Sequence, residues 1–199
     1  MADTKISAMT AAALPLTGTE LVPIVQSGVN KKTTTQDIAN VSRSYGAWSD
    51  LTDQTGSTTV GTAMTYNTQD VTDTITLVDN SKITVPNTGI YDLQFSSQFR
   101  NTDNAQHQVT IWVKVNGSDI ANSGSVITVP ARKTASIYGY AVAAWNFFYS
   151  MNANDYLELA WTSDDAGTFL KDGAAAYGPN IPSVIRSEEH TSELQSRGL

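Results

Sequence analysis

Cysteine is absent from the 199 residues. Disulfides and thiolate metal sites are therefore excluded, and the chain can fold in a reducing compartment. Only two histidines occur, His107 and His190, which leaves little material for a Ser-His-Asp triad or a histidine-ligated metal. Basic residues are scarce: 12 Lys and Arg stand against 19 Asp and Glu, a net charge of −7. They occur singly or in pairs, Lys31 with Lys32 and Arg132 with Lys133, so no basic face offers itself to nucleic acid. The mild acidity serves solubility. No apolar run approaches the roughly 20 residues of a membrane-spanning helix, and no membrane insertion is expected. The opening stretch MADTKISAMTAAALPLTG does not read as an export signal, because Asp3 offsets Lys5 and Thr10 interrupts a thin apolar region. Synthesis in the cytoplasm without export is expected. No Gly-rich phosphate cradle occurs either, since KDGAAAYG at 171–178 is too short and wrongly flanked.

What the chain does have is β-pattern. Residues are 40% hydrophobic and 16% charged, with many Thr, Ser and Asn, a composition that suits a β-rich globular domain rather than a coiled coil. From Tyr45 onward, strands are predicted at 62–66, 74–78, 82–85, 89–99, 108–115, 125–129, 136–149, 156–161 and 183–185, separated by Gly/Asn/Asp turn signals. With no credible long helix, this spacing predicts an antiparallel sandwich. In GIYDLQFSSQF, Tyr91, Leu93, Phe95 and Phe99 alternate with Asp92, Gln94, Ser96 and Gln98, giving one packed face and one wet face. Asn116-Gly117 predicts a tight hairpin. Residues 1–45 differ in texture. They predict a strand over 21–25 that Pro23 confines to an edge, a turn at Ser27-Gly28, a second strand near 31–33, and a short helix capped by Thr35 and holding Ile38 and Val41. That unit has too little apolar content for its own core and is expected to dock on something larger.

The segment SIYGYAVAAWNFFYSM breaks the alternation. Tyr138, Tyr140, Val142, Ala144 and Phe148 share one parity, while Ala141, Ala143, Trp145, Phe147 and Tyr149 share the other. Such a strand needs two dry sides, and a two-layer sandwich supplies one. A subunit contact is therefore expected through Tyr138, Tyr140, Val142, Phe147 and Phe148. Trp112 shares a parity with Thr110 and Lys114, the polar side of its strand, and is the candidate surface aromatic for binding. His107, beside NTDNAQ, reads as a surface histidine. Asp164 and Asp165 read as a solvated turn whose side chains point apart. No catalytic, metal or cofactor site is expected, and the chain is not read as an enzyme.

The stretches ITVPNTGIYDLQFSSQF, VTIWVKVNGSDI, VAAWNFFYSMNANDYLELAW and GPNIPSVI together resemble the jelly-roll module of tailed-bacteriophage structural proteins. That module is similar to the globular head of the complement first component, subcomponent q, and to tumour-necrosis-factor-like domains. KISAMTAAALPLTGTELVPIVQSGVNKKTTTQDI resembles a short N-terminal module of phage tail and fibre proteins. The resemblance implies a virion-attachment module and linker at 1–45 and a jelly roll at 46–185. It further implies a homotrimer, contacts to other virion proteins through 1–45, and display toward a host-surface glycan or protein. The other reading is a free carbohydrate-binding module.

At the C-terminus, RSEEHTSELQS (186–196) matches nothing upstream. All eleven residues match the translation of a widely used short-read sequencing adapter. Residues 186–199 are therefore expected to be a non-native tail, with the gene assembled from environmental DNA. On that reading His107 is the one native histidine, and the last strand of the sheet is expected to stop at Ile185 with its ladder groups uncovered.

Overall fold

The computed structural model describes residues 16–40, 44–174 and 178–190, which fall into two units divided at Arg43 and Ser44. Val41, placed above in the short helix, residues 1–15 of the attachment module and residues 191–199 of the tail lie outside the described residues.

In the first unit, β1 (Leu21–Gln26) and β2 (Val29–Thr34) form an antiparallel hairpin. Its two-residue turn places Ser27 and Gly28 at φ 53° and 74°, the left-handed pair that matches strand twist. Pro23 meets no conflict, because both strands of a two-stranded sheet are edges. A six-residue helix α1 (Thr35–Asn40) follows directly. Thr35, expected to cap it, donates its hydroxyl to Glu20 at 2.7 Å. Glu20 also accepts the Thr17 and Gly18 amides at 2.7 and 2.9 Å. The Thr17 amide first, then the Thr35 and Thr17 hydroxyls, hold its pKa at about 2. None of the described side chains of this unit is buried, and Leu21, Val25, Val29 and Ile38 are exposed.

The second unit is all-β. In chain order its strands are β3 (Tyr45–Asp50), β4 (Thr62–Ala63), β5 (Thr68–Asp73), β6 (Thr76–Val78), β7 (Lys82–Thr84), β8 (Gly89–Asn101), β9 (His107–Val115), β10 (Ser118–Asp119), β11 (Ser125–Val129), β12 (Gly139–Met151), β13 (Tyr156–Ser163), β14 (Thr168–Leu170), β15 (Gly173–Ala174), β16 (Asn180–Ile181) and β17 (Val184–His190). One antiparallel sheet runs β10-β9-β13-β7-β6, with β11 on β9 and β4 on β13. The other runs β12-β8-β17-β3-β5, with β14 on β8. β15 and β16 pair separately.

These sheets form a sandwich because their strands alternate. Tyr91, Leu93, Phe95 and Phe99 of β8, Trp48 of β3 and Val184 of β17 pack into one buried cluster with Val109, Ile111 and Val113 of β9 and Leu157, Leu159 and Trp161 of β13. The opposite faces carry the polar partners, as the period of two requires. The Asn116-Gly117 hairpin forms with φ values of 49° and 80° and pairs Ser118 with Val115.

One expectation is overturned. The last strand does not stop at Ile185: β17 continues to His190 and is hydrogen-bonded on both sides, to β3 and to β8. The ladder is complete, and the strand crosses the 185/186 boundary drawn above. Its period of two turns Val184, Arg186 and Glu188 inward, and Arg186 and Glu188 are completely buried.

Candidate functional site

β12 is the terminal strand of its sheet. One of its edges pairs with β8 along all thirteen residues, and the other has no strand partner among the described residues. At 3.4 Å per residue the strand is about 40 Å long, and GYAVAAWNFFYSM contains neither a charge nor a proline. Edge strands are ordinarily blunted by charge, proline, bulges or a covering element. This one is not.

The structure sorts the five residues predicted to meet a subunit. Tyr140, Val142 and Phe148 point away from the core and are 58%, 57% and 55% exposed. Phe147 does not join them. It faces inward, stacked on Phe95 at a centroid distance of 6.5 Å and tilted against Tyr149 at 5.8 Å. The correction follows from parity, since 147 is odd and the exposed flank is even. Tyr138 precedes β12, half-buried, with the Arg100 guanidinium 4.5 Å from its ring centroid. That cation lies over an aromatic face and also over Phe169, at 4.7 Å. Beside the exposed flank, β8 presents Asp92, Gln94, Ser96 and Gln98 in register with Phe148, Asn146, Ala144 and Val142. An open depression of about 350 Å³, bordered by Gln94, Ala144 and Asn146, lies there.

Trp112 sits on the outer face of the other sheet, as its parity predicts, but it is not a free stacking platform. Its ring packs against Gly61 so closely that a Cβ there would come within 2.3 Å of the indole. Its Nε1 donates to Asp119 at 2.7 Å. It is half-buried, held as part of the hairpin rather than offered to a ligand.

His107 is likewise not a free surface residue. Its Nε2 lies 3.0 Å from Asp103 Oδ2 and its Nδ1 3.0 Å from Asp164 Oδ1, with Asp165 Oδ2 at 3.8 Å from Nε2. Asp164 and Asp165 do point apart, as expected, and Asp164 stays exposed, but the two carboxylates lie on opposite ring nitrogens of His107 rather than free in solvent. No sequence signal marks the cluster, because 57 residues separate His107 from Asp164. The pairing of Val109 with Ser163 between β9 and β13 brings their ends together. Asp103, His107 and Asp165 each present a ligand atom within 4.8 Å of the others, and when protonated the imidazole itself supplies a positive charge among these carboxylates.

The hydrogen bond to Asp103, followed by the charges of Asp165 and Asp164, raises the His107 pKa above its ordinary value of 6.5. Asp103 is correspondingly lowered, chiefly by His107. A raised histidine contributes stability that is complete below pH 6.5 and lost as pH rises through the folded pKa; a lowered aspartate loses its contribution as pH falls below its ordinary value. The cluster thus ties its two loops most strongly between about pH 4 and 6.5. Thermal unfolding of H107Q and the parent chain checks this. The parent is expected to have the higher midpoint at pH 6, with the gap closing by pH 8.5. A gap independent of pH would refute it.

No family model matches the chain, and none of the curated proteins matches it.

Proposed function

We propose that this protein is a structural component of a tailed-phage virion, in which residues 1–45 attach to other virion proteins and a jelly roll associates as a homotrimer that projects from the particle. Its work is assembly and display toward a host-surface glycan or protein. The observation that carries this reading is the outward flank of β12. Tyr140, Val142 and Phe148 stand exposed on an uncharged strand whose outer edge has no ladder partner among the described residues. Copies that each carry a net charge of −7 would meet there on a strand that itself has no charge, with Asp92 of β8 beside Phe148. The absence of any buried side chain among those described in the first unit supports a role for it in docking rather than in independent folding. The threefold symmetry and the phage setting come from the sequence resemblance.

Light scattering tests the proposal. The parent chain is expected to be trimeric at micromolar concentration, and Y140S/V142S/F148S to be monomeric. These side chains lie outside the core, so folding should survive. Each apolar side chain withdrawn from water is worth about 1.5–3 kcal/mol, so the triple change should weaken association by about a thousandfold or more. A monomeric parent at that concentration defeats the proposal.

A second reading, a free carbohydrate-binding module, has one observation in its favour. Phe148 stands beside Asp92, Gln94 and Asn146 on the same outer face, and an aromatic ring flanked by planar polar groups suits a sugar. Strong glycan-array binding by a chain lacking residues 1–45 would favour it.

A further inference from the structure

The strand β17 fits its place in backbone and misfits it in side chain. Its ladders are satisfied on both sides, Arg186 facing Phe95 and Trp48, Glu188 facing Leu93 and Gly46, and His190 facing Tyr91. Every strand that contributes to the same core turns apolar or aromatic side chains inward: Tyr91, Leu93, Phe95 and Phe99 from β8, Trp48 from β3, Leu157, Leu159 and Trp161 from β13. Val184 obeys this pattern, and the next two inward positions carry a guanidinium and a carboxylate, neither with measurable exposure to water.

Their hydrogen bonding is incomplete. Arg186 donates to Glu188 at 2.9 Å and to the Leu157 carbonyl at 3.2 Å, while its Nε and the Glu188 Oε1 are buried without a partner. A buried ion pair holds its own against an apolar core only when all its donors and acceptors are met. Here two are not.

We infer that the groove between β3 and β8 is a strand-receiving site for an extended segment with apolar side chains at positions 186 and 188, and that the present occupant is foreign to it from Arg186 onward. The inference rests on the sheet and not on the proposed virion role. It gives the adapter-like sequence of 186–196 a physical counterpart. Any polypeptide other than proline can supply the N–H and C=O groups of a central strand, so a foreign segment closes the ladder. Only its inward side chains betray it. Ile185, Ser187 and Glu189 lie on the outer face, where the polarity of the occupant matters little.

The test uses the full-length chain. R186L/E188L is compared with the parent by thermal unfolding and urea denaturation at pH 7.5, with R186V/E188V as a second set should leucine exceed the available space. At least one set is expected to raise the melting midpoint by about 3–10 °C, or to yield cooperatively folding protein where the parent yields none. The substituted chains should also lose any stability change that the parent shows between pH 5 and 8 and that E188Q abolishes. Failure of both sets to exceed the parent, or a pH profile unchanged by them, overturns the inference, because the ion pair would then belong to the design of this core.

Discussion

Arg186→Ala is expected to cost about 3–5 kcal/mol of folding stability, measured by urea denaturation at pH 8. The loss has little to do with the attraction between Arg186 and Glu188. Removing the guanidinium leaves the Glu188 carboxylate at zero side-chain exposure with no opposite charge beside it, and desolvation of an uncompensated ion dominates. Burial already lifts the Glu188 pKa to about 7, against the opposing pull of Arg186. Without Arg186 it should rise further. The cost should therefore be smaller at pH 5, where Glu188 can accept a proton and enter the core uncharged. For an acid whose folded pKa is raised, stability is retained below the ordinary value of 4.5 and falls as pH climbs through the folded value. A cost under 1 kcal/mol at both pH values would mean that water reaches this pair. Single and double substitution are thus expected to move stability in opposite directions, with the alanine destabilising and the paired leucines stabilising.

Trp161→Ala should cost a similar amount, about 3–5 kcal/mol, for a different reason. Trp161 is fully buried and meets Phe99 edge-to-face at 5.4 Å, an aromatic pair worth more than its area alone. Its far side is roofed by Gly56, where a Cβ would fall 2.7 Å from the ring. The roof cannot drop into the space left behind. Gln54 ties that segment down with a backbone pair to Leu170 and side-chain hydrogen bonds to both backbone groups of Thr65, at 3.0 and 2.8 Å. A site that cannot collapse keeps its cavity, and cavity volume sets the penalty. The urea midpoint should fall with the denaturant slope unchanged. A loss below 2 kcal/mol would show that the segment over Gly56 moves in after all.

Much of the second unit was legible because its strands obey one rule. Ser125–Val129 was predicted to the residue, and the inward set of β8 was named from alternation alone, since a strand half in water must alternate. Strands of two or three residues, such as β10, β14 and β16, went unseen. They are held by a neighbour's ladder and carry no pattern of their own. β5 was missed for a related reason: TQDVTD is polar on both faces and exists as the outer rail of β3. The candidate surface on β12 could be located in the sequence and its two parities separated, but with both sides apolar nothing local says which one the core covers, and Phe147 was grouped with Phe148. Trp112 was assigned to the correct face and then found half-buried, because Gly61, which lies against its ring, is remote in sequence.

The chain by itself determined which side chains share a face, where the tight Asn-Gly turn falls, and that one strand near position 140 is apolar on both sides; each is a property of nearest neighbours and a repeat of two. The tertiary structure alone decided which face is roofed. It brought His107 between Asp103 and the Asp164-Asp165 pair, left Tyr140, Val142 and Phe148 uncovered, and drew Arg186 and Glu188 into a dry interior. Burial is a property of the whole packed sheet. A strand's backbone is admitted for its hydrogen bonds, which nearly every residue supplies, whereas the chemistry of its side chains is judged by partners arriving from distant parts of the chain.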